Sequence, residues 1–456
     1  MQHIISTSLN LTMPCQRTTE VLRKEHLQRL LEYSRRIRYF QFAPSTQPVA
    51  PQIYTSIGKH AQFELFPTLS RLEMLSLDQI NMANISSLSL VLPPTLSDVT
   101  ISSITPRVEI LAATLLDDIS EKGQKLLKLS LGGKMSILCF NTIRALNSLQ
   151  TLHIFSTDSS LPGDFVKIIS RLDSLKWLHI SLDGSSRWSP PEDTRTVGSP
   201  NGFSSLRNLN ITGSSGFVWA LIGYITPLPK LATINLHFSS NTGKESGRWG
   251  ERLASLTGPD LLGIRVTSTS MASPITVVGL QILFSTRLQV LQLETIRLSP
   301  GAIGALSSSK FSGAIQKIRI VATKGVQNLV ANKRLHVETA DLSAIRSFSN
   351  LQSLEISINL DLAEKGIKSM QQATKIARQC HTLQELVLVP YQSYTSSGDF
   401  NVKNAFIFAR CINHLFPHLK KFDLSKFTAI DASWRQGTEA MVIGLQDVQK
   451  CDCHLA

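Results

Sequence analysis

One spacing of apolar residues recurs along nearly the whole chain: an apolar residue, two others, a second apolar residue, one other, a third apolar residue. It reads Ile37/Phe40/Phe42, Leu72/Leu75/Leu77, Leu96/Val99/Ile101 and Leu126/Leu129/Leu131. Leu149/Leu152/Ile154, Leu175/Leu178/Ile180, Leu206/Leu209/Ile211 and Leu231/Ile234/Leu236 follow. The remaining six begin at Leu261, Leu288, Ile315, Leu351, Leu383 and Leu419. These fourteen copies stand about 29 residues apart on average. Each copy ends in apolar–x–apolar, the two-residue period of a strand with one buried face. Its first apolar residue anchors the approach to that strand. Between copies lie stretches of helical spacing, such as Phe165–Leu172, Ala302–Leu306 and Ala405–Leu415. A strand–helix unit of this length cannot bury its own apolar face, whereas stacked units share one continuous core. The pattern predicts an α/β repeat fold with parallel strands along a concave face.

These residues resemble the leucine-rich repeats, in particular the longer strand–helix repeats of ribonuclease-inhibitor type. The resemblance runs over about residues 35–427 and implies a horseshoe-shaped solenoid of about 14 irregular repeats. The family motif continues with Asn or Cys three residues beyond the strand, and here only Asn359 matches. Short polar residues such as Ser45, Thr157 and Asp183 stand at several of the other positions.

Residues 19–36 place Val21, Leu22, Leu27, Leu30 and Leu31 on one helical stripe. The expected organisation is a disordered 1–18, a capping helix over 19–36, the repeats over 37–447 and a tail over 448–456. The block Leu27-Gln-Arg-Leu-Leu-Glu-Tyr-Ser-Arg-Arg-Ile-Arg38 resembles the segment that joins an F-box to its repeats in fungal F-box/leucine-rich-repeat proteins. That resemblance implies a receptor that selects substrates for a cullin–RING ubiquitin ligase. A Skp adaptor would be its partner where the full-length product carries an F-box. No Leu-Pro-x-Glu-x-Leu-type opening helix stands before the block.

Composition narrows the classes. Apolar residues make up 42% and charged residues 17% of the chain, enough for a packed core and against a disordered chain. The longest apolar stretch, Phe217–Ile225, stops before Pro227 and is too short for a membrane span. The N-terminus has no charged region leading into a long apolar one, so the expected location is cytoplasmic or nuclear. Six cysteines are too few for a disulfide scaffold. The net charge of +13 admits an acidic or nucleic-acid partner. Its basic excess is spread over residues 1–60, 310–346 and 401–435 instead of forming one dense run. That argues against nucleic acid, which keeps a basic nucleic-acid-binding solenoid as the second reading.

Residues that alternate with the buried ones should point out along the concave face. They include Thr151, His153, Phe155, Trp177, His179, Asn208, Asn210, Thr233, Asn235, His237 and Arg265. Exposed Trp, Phe and His supply binding hot spots. The candidate partner-binding set is therefore Phe155, Trp177, His179, Asn210, His237 and Arg265, taking a protein or peptide. Long Gly/Ser/Pro-rich loops after the strands form a second candidate, with Trp188 and Trp249 in them. No phosphate loop, nucleophile elbow or catalytic dyad stands out, and no enzyme activity, metal or cofactor is expected. His153 and His179 share a column, but carboxylates near them are scarce. Cys451-Asp-Cys453-His454 falls short of the four ligands of a structural zinc site.

Overall fold

The computed structural model describes residues 28–29, 32–42, 66–79, 92–121, 125–156, 161–183, 188, 202–240, 260–268, 287–294, 312–321, 345, 348–358, 371, 382–390, 402–425 and 432–453. Fourteen strands occur among them, and the fold is α/β with about fourteen leucine-rich-type repeats. The chain divides into two compact units, Met1–Gly133 and Lys134–Ala456, where the sequence reads as one array.

The first unit holds β1 (Tyr39–Phe42), β2 (Arg71–Met74), β3 (Asp98–Ile104) and β4 (Lys128–Gly133). They pair in chain order and in parallel. Helix α1 (Glu109–Glu121) buries Ala112, Leu115, Leu116 and Ile119. The second copy of the repeat stands three residues earlier than its sequence suggested. Its buried triplet is Leu69/Leu72/Met74, each no more than 2% exposed, while Leu75 is exposed. Two overlapping apolar triplets share Leu72, and only the earlier one puts Leu72 beside Phe40 and Val99 in register. At the end of β4, Gly133 takes φ +129 and packs so closely that a Cβ there would lie 2.2 Å from the Ile104 carbonyl oxygen.

The second unit begins with α2 (Ile137–Ile143), capped by Ser136, whose side chain accepts from Leu138 N–H. Strands β5 (Thr151–Ser156), β6 (Trp177–Leu182), β7 (Asn208–Ser214), β8 (Thr233–Ser240) and β9 (Gly263–Ser268) follow. After them come β10 (Val290–Glu294), β11 (Lys317–Val321), β12 (Ser353–Ile358), β13 (Glu385–Pro390) and β14 (Lys421–Asp423). All pair in parallel and in chain order. The period-2 pattern explains them directly: in β6, Leu178, Ile180 and Leu182 are buried while Trp177 is exposed and His179 and Ser181 are half-buried. Register stacks like on like, with Leu152, Leu178, Leu209, Ile234 and Ile264 in one row. Each fully buried side chain of this kind contributes about 1.5–3 kcal/mol.

A backbone device repeats at the strand entries within each unit. The carbonyl of Gln150 accepts from both Lys176 and Trp177 N–H, that of Lys176 from Arg207 and Asn208, and that of Arg207 from Ala232 and Thr233. The same double acceptance continues from Ala232 to Lys421. It satisfies two amides of each repeat on the previous one and fixes the register without an asparagine ladder. Asn359 itself lies outside the described residues.

Helices α3 (Phe165–Ile169) and α4 (Ser215–Ile225) cover the core behind β5–β8. The stretch Phe217–Ile225 is buried at Phe217, Val218, Trp219, Leu221, Ile222 and Ile225, so its apolarity serves the repeat core. No helix among the described residues is long and apolar enough to cross a membrane. The helical spacing at Ala405–Leu415 falls in α5 (Val402–Leu415), whereas Ala302–Leu306 lies outside the described residues.

The last helix, α6 (Ala432–Cys453), continues through part of the stretch expected to be a tail. It docks on α5 and β14 and closes the backbone groups that the final repeat would leave open. Glu439 Oε1 accepts from Leu424 N–H, Arg435 Nη1 donates to Ser425 O (2.7 Å), and buried Gln446 Nε2 donates to Phe416 O (3.0 Å). Terminal repeats need such caps. Gln446→Leu should cost about 1–3 kcal/mol by stranding the Phe416 carbonyl, read as a lower urea midpoint. At the N-terminus, residues 32–34 are helical and Ser34 is buried. The stripe from Val21 to Leu31 lies outside the described residues.

Candidate interaction surface

The outward positions of β5–β8 form three columns fixed by the register. Thr151, Trp177, Asn208 and Thr233 make the first, and His153, His179, Asn210 and Asn235 the second. Phe155, Ser181, Thr212 and His237 make the third. The structure thus brings Phe155, Trp177, His179, Asn210 and His237 together on four adjacent strands. Arg265 stands one strand further on, beside Asn235.

Aromatic rings dominate the β5–β6 end. Phe155 meets His179 edge-on with centroids 5.1 Å apart, and His153 lies 5.5 Å from His179 and 6.1 Å from Phe155. Mutual packing of this kind holds rings at fixed angles and limits the entropy lost when a partner docks. The packing still leaves Phe155 38% and Trp177 49% exposed, apolar area that the fold itself does not use. Burial holds the His179 imidazole below its ordinary value, favouring the neutral ring.

That shift has a sign for stability. The unfolded state takes up a proton near pH 6.5 while folded His179 resists it, so its contribution is complete above about pH 6.5 and lost as the pH falls through the lower folded value. His179→Gln should flatten the loss of thermal stability between neutral and mildly acidic pH. An unchanged pH profile would contradict the burial assigned to this ring.

On β7–β8 the chemistry becomes amide and hydroxyl. Thr233 Oγ1 donates to Asn208 Oδ1, and Asn235 Nδ2 donates to Asn210 Oδ1. The Nδ2 groups of Asn208 and Asn210 take no part in these rungs. None of the twelve column positions on β5–β8 holds an Asp, Glu, Lys or Arg.

The neighbouring strands are charged, and there the charges pair across the sheet. Glu294 sits between Arg265 Nη2 (3.0 Å) and Arg319 Nη1 (2.8 Å), and Arg319 Nε lies 2.9 Å from Glu355 Oε2. The first unit does likewise on its own strands. Tyr39 donates to Glu73 Oε2 (2.6 Å), Arg71 pairs with Glu73, and Lys128 Nζ lies 3.3 Å from Asp98. The bond to Glu73 is the main reason the Tyr39 phenol titrates above its ordinary value. Arg265 is therefore half committed to Glu294, a restraint that its place in the sequence did not reveal.

Trp188 is corrected. Expected on a rim loop, it is buried at 6% exposure. Its indole meets Phe165, Tyr224 and Phe217 edge-on at 5.7, 5.7 and 6.3 Å, and its Nε1–H donates to Pro162 O. A large apolar ring gains more by filling the space over α3 and α4 than by facing water. Trp249, and most of the long loops with it, lies outside the described residues. Among the described residues no cluster of three or more His, Cys, Asp or Glu could hold a metal ion.

Parallel strands in chain order, the leading leucine and helices behind the sheet define a leucine-rich-repeat fold. No protein-family model matches the chain, and no curated protein sequence matches it. Solved structures similar to it include an internalin from Listeria monocytogenes, at 13% identity and TM-score 0.37, covering 88% of this chain and 87% of that one. The yeast Rad7–Elc1 complex matches at 12% identity and TM-score 0.34, covering 91% and 85%. The leucine-rich-repeat protein LegL7 of Legionella pneumophila matches at 12% identity and TM-score 0.28, covering 89% and 98%.

Proposed function

We propose that this chain is a non-enzymatic protein-interaction scaffold that takes its partner on the β5–β8 strand face. One observation carries this reading: Phe155 and Trp177 stay exposed on adjacent strands, Phe155 packs against two histidines, and the outward columns they stand in hold no Asp, Glu, Lys or Arg. Exposed aromatic rings held rigid by neighbours are the usual anchors of protein interfaces.

A finer reading gives the chain the role of a substrate receptor in an F-box-type ubiquitin ligase, acting in the cytoplasm or nucleus. Its support is the likeness of residues 27–38 to the F-box-to-repeat connection. A Skp adaptor would then co-purify with the full-length product, and its absence would leave a general adaptor.

Trp177→Ala/His179→Ala should remove the partners captured by the wild-type chain while leaving it folded, because Trp177 is half exposed and His179 only half-buried. Recovery of the same partners in the same amounts by affinity purification and mass spectrometry would contradict the reading.

A further inference from the structure

Lys176 and Arg207 occupy the strand-entry row directly before Trp177 and Asn208. Their backbones are adjacent, since Arg207 N–H and Asn208 N–H both donate to the Lys176 carbonyl. Both side chains are exposed. On other strands of each unit several cations pair with anions across the sheet, as in Arg265–Glu294–Arg319 and Lys128–Asp98. Here two cations stand side by side on neighbouring strands, an arrangement that costs stability. Among the described residues neither forms an ion pair; Lys176 Nζ donates only to the neutral Gln150 Oε1 (3.2 Å). Exposed Asp173 lies three residues before Lys176, and among the described residues it pairs with neither. A cation pair with no ion-pair partner among the described residues, beside the most exposed ring of the patch, has the chemistry of a site for a bound anion.

We propose that Lys176 and Arg207 receive the carboxylates of an acidic, extended peptide segment whose neighbouring apolar or aromatic side chain covers Trp177 and Phe155. The inference rests on the protein-interaction reading above and names the partner's chemistry. Asn208 follows Arg207 directly and Asn210 stands two residues further along the same strand, and such amide groups suit the carbonyls of a peptide backbone. A nucleic-acid strand would need a track of cations along its phosphates. The row instead continues with uncharged Gln150, Ala232, Leu262 and Gln289.

The test uses the full chain as bait for a random-peptide display library. Selected peptides should carry Asp or Glu beside an aromatic residue. Lys176→Glu/Arg207→Glu should weaken the best peptide by about tenfold or more, and its affinity for the wild type should fall as salt rises. The single variant Arg207→Glu separates binding from folding. It replaces a like-charge neighbour with an opposite one, so thermal stability should hold or rise while the peptide is lost.

Selected peptides without acidic enrichment, bound equally by the Lys176→Glu/Arg207→Glu protein but lost with Trp177→Ala, would overturn this inference and leave the interaction reading standing. Failure to select any peptide, with oligothymidylate bound through Trp177 instead, would overturn both.

Discussion

Trp188→Ala should destabilise the second unit by about 3–5 kcal/mol, the usual cost of deleting a large buried ring. The indole is 6% exposed and seats against Phe165 from α3 and against Phe217 and Tyr224 from α4. Its removal would open a cavity between two helices whose remaining contacts cannot collapse into it without moving the strands they cover. The Pro162 carbonyl would lose its indole donor as well. Trp188→Phe keeps much of the ring volume and should recover most of the loss. Chemical denaturation followed by tryptophan fluorescence and circular dichroism measures both variants. A midpoint within experimental error of the wild type for Trp188→Ala would mean that this ring does not pack on α3 and α4.

Gly133→Ala is the second large effect, expected on the order of 3 kcal/mol or more. Two costs coincide. At φ +129 an L side chain is strained whatever the space around it. The added Cβ would also lie 2.2, 2.5 and 2.9 Å from the oxygen, nitrogen and carbonyl carbon of Ile104, which are backbone atoms on β3. A flexible side chain could swing away, but the Ile104 backbone is paired with Gly133 itself and moves only by disturbing that pairing. Gly132→Ala is the control, since the nearest atom to its Cβ would be 3.7 Å away. Equal stabilities of the two variants would contradict the geometry at the end of β4.

These cases also show where the sequence was legible. Twelve of the fourteen apolar triplets fall on buried positions, because strand period and repeat spacing constrain the same residues twice, while Ile37 and Phe40 of the first copy are only half-buried. The second copy slipped because Leu69, Leu72 and Leu75 all satisfy the leading spacing, and only pairing with Phe40 and Val99 decides between them. The outward columns of β5–β8 follow from the alternation, so Phe155, Trp177, His179 and Asn210 could be placed from sequence alone. Trp188 could not: its Gly/Ser/Pro-rich surroundings read as a loop, and nothing local signals that α3 and α4 leave a gap of its size. The charge pairing was equally hidden. Arg265 and Glu294 are 29 residues apart and meet only through the strand register. The same register turns Lys176 and Arg207, unremarkable in sequence, into neighbouring cations without an ion pair among the described residues. Helix α6 escaped because its buried stripe is Thr438, Val442 and Gln446, too polar to read as an apolar face.

The β5–β6 aromatic face as a protein-binding surface is tested most directly by site-specific photocrosslinking in cells. A photoreactive phenylalanine analogue at position 177 should yield a discrete protein adduct. The same analogue at Phe406, equally exposed on α5, should not. Mass spectrometry of the adduct should identify a protein that is also lost from the Trp177→Ala/His179→Ala purification. No adduct at position 177, or the same adducts from positions 177 and 406, would contradict the account.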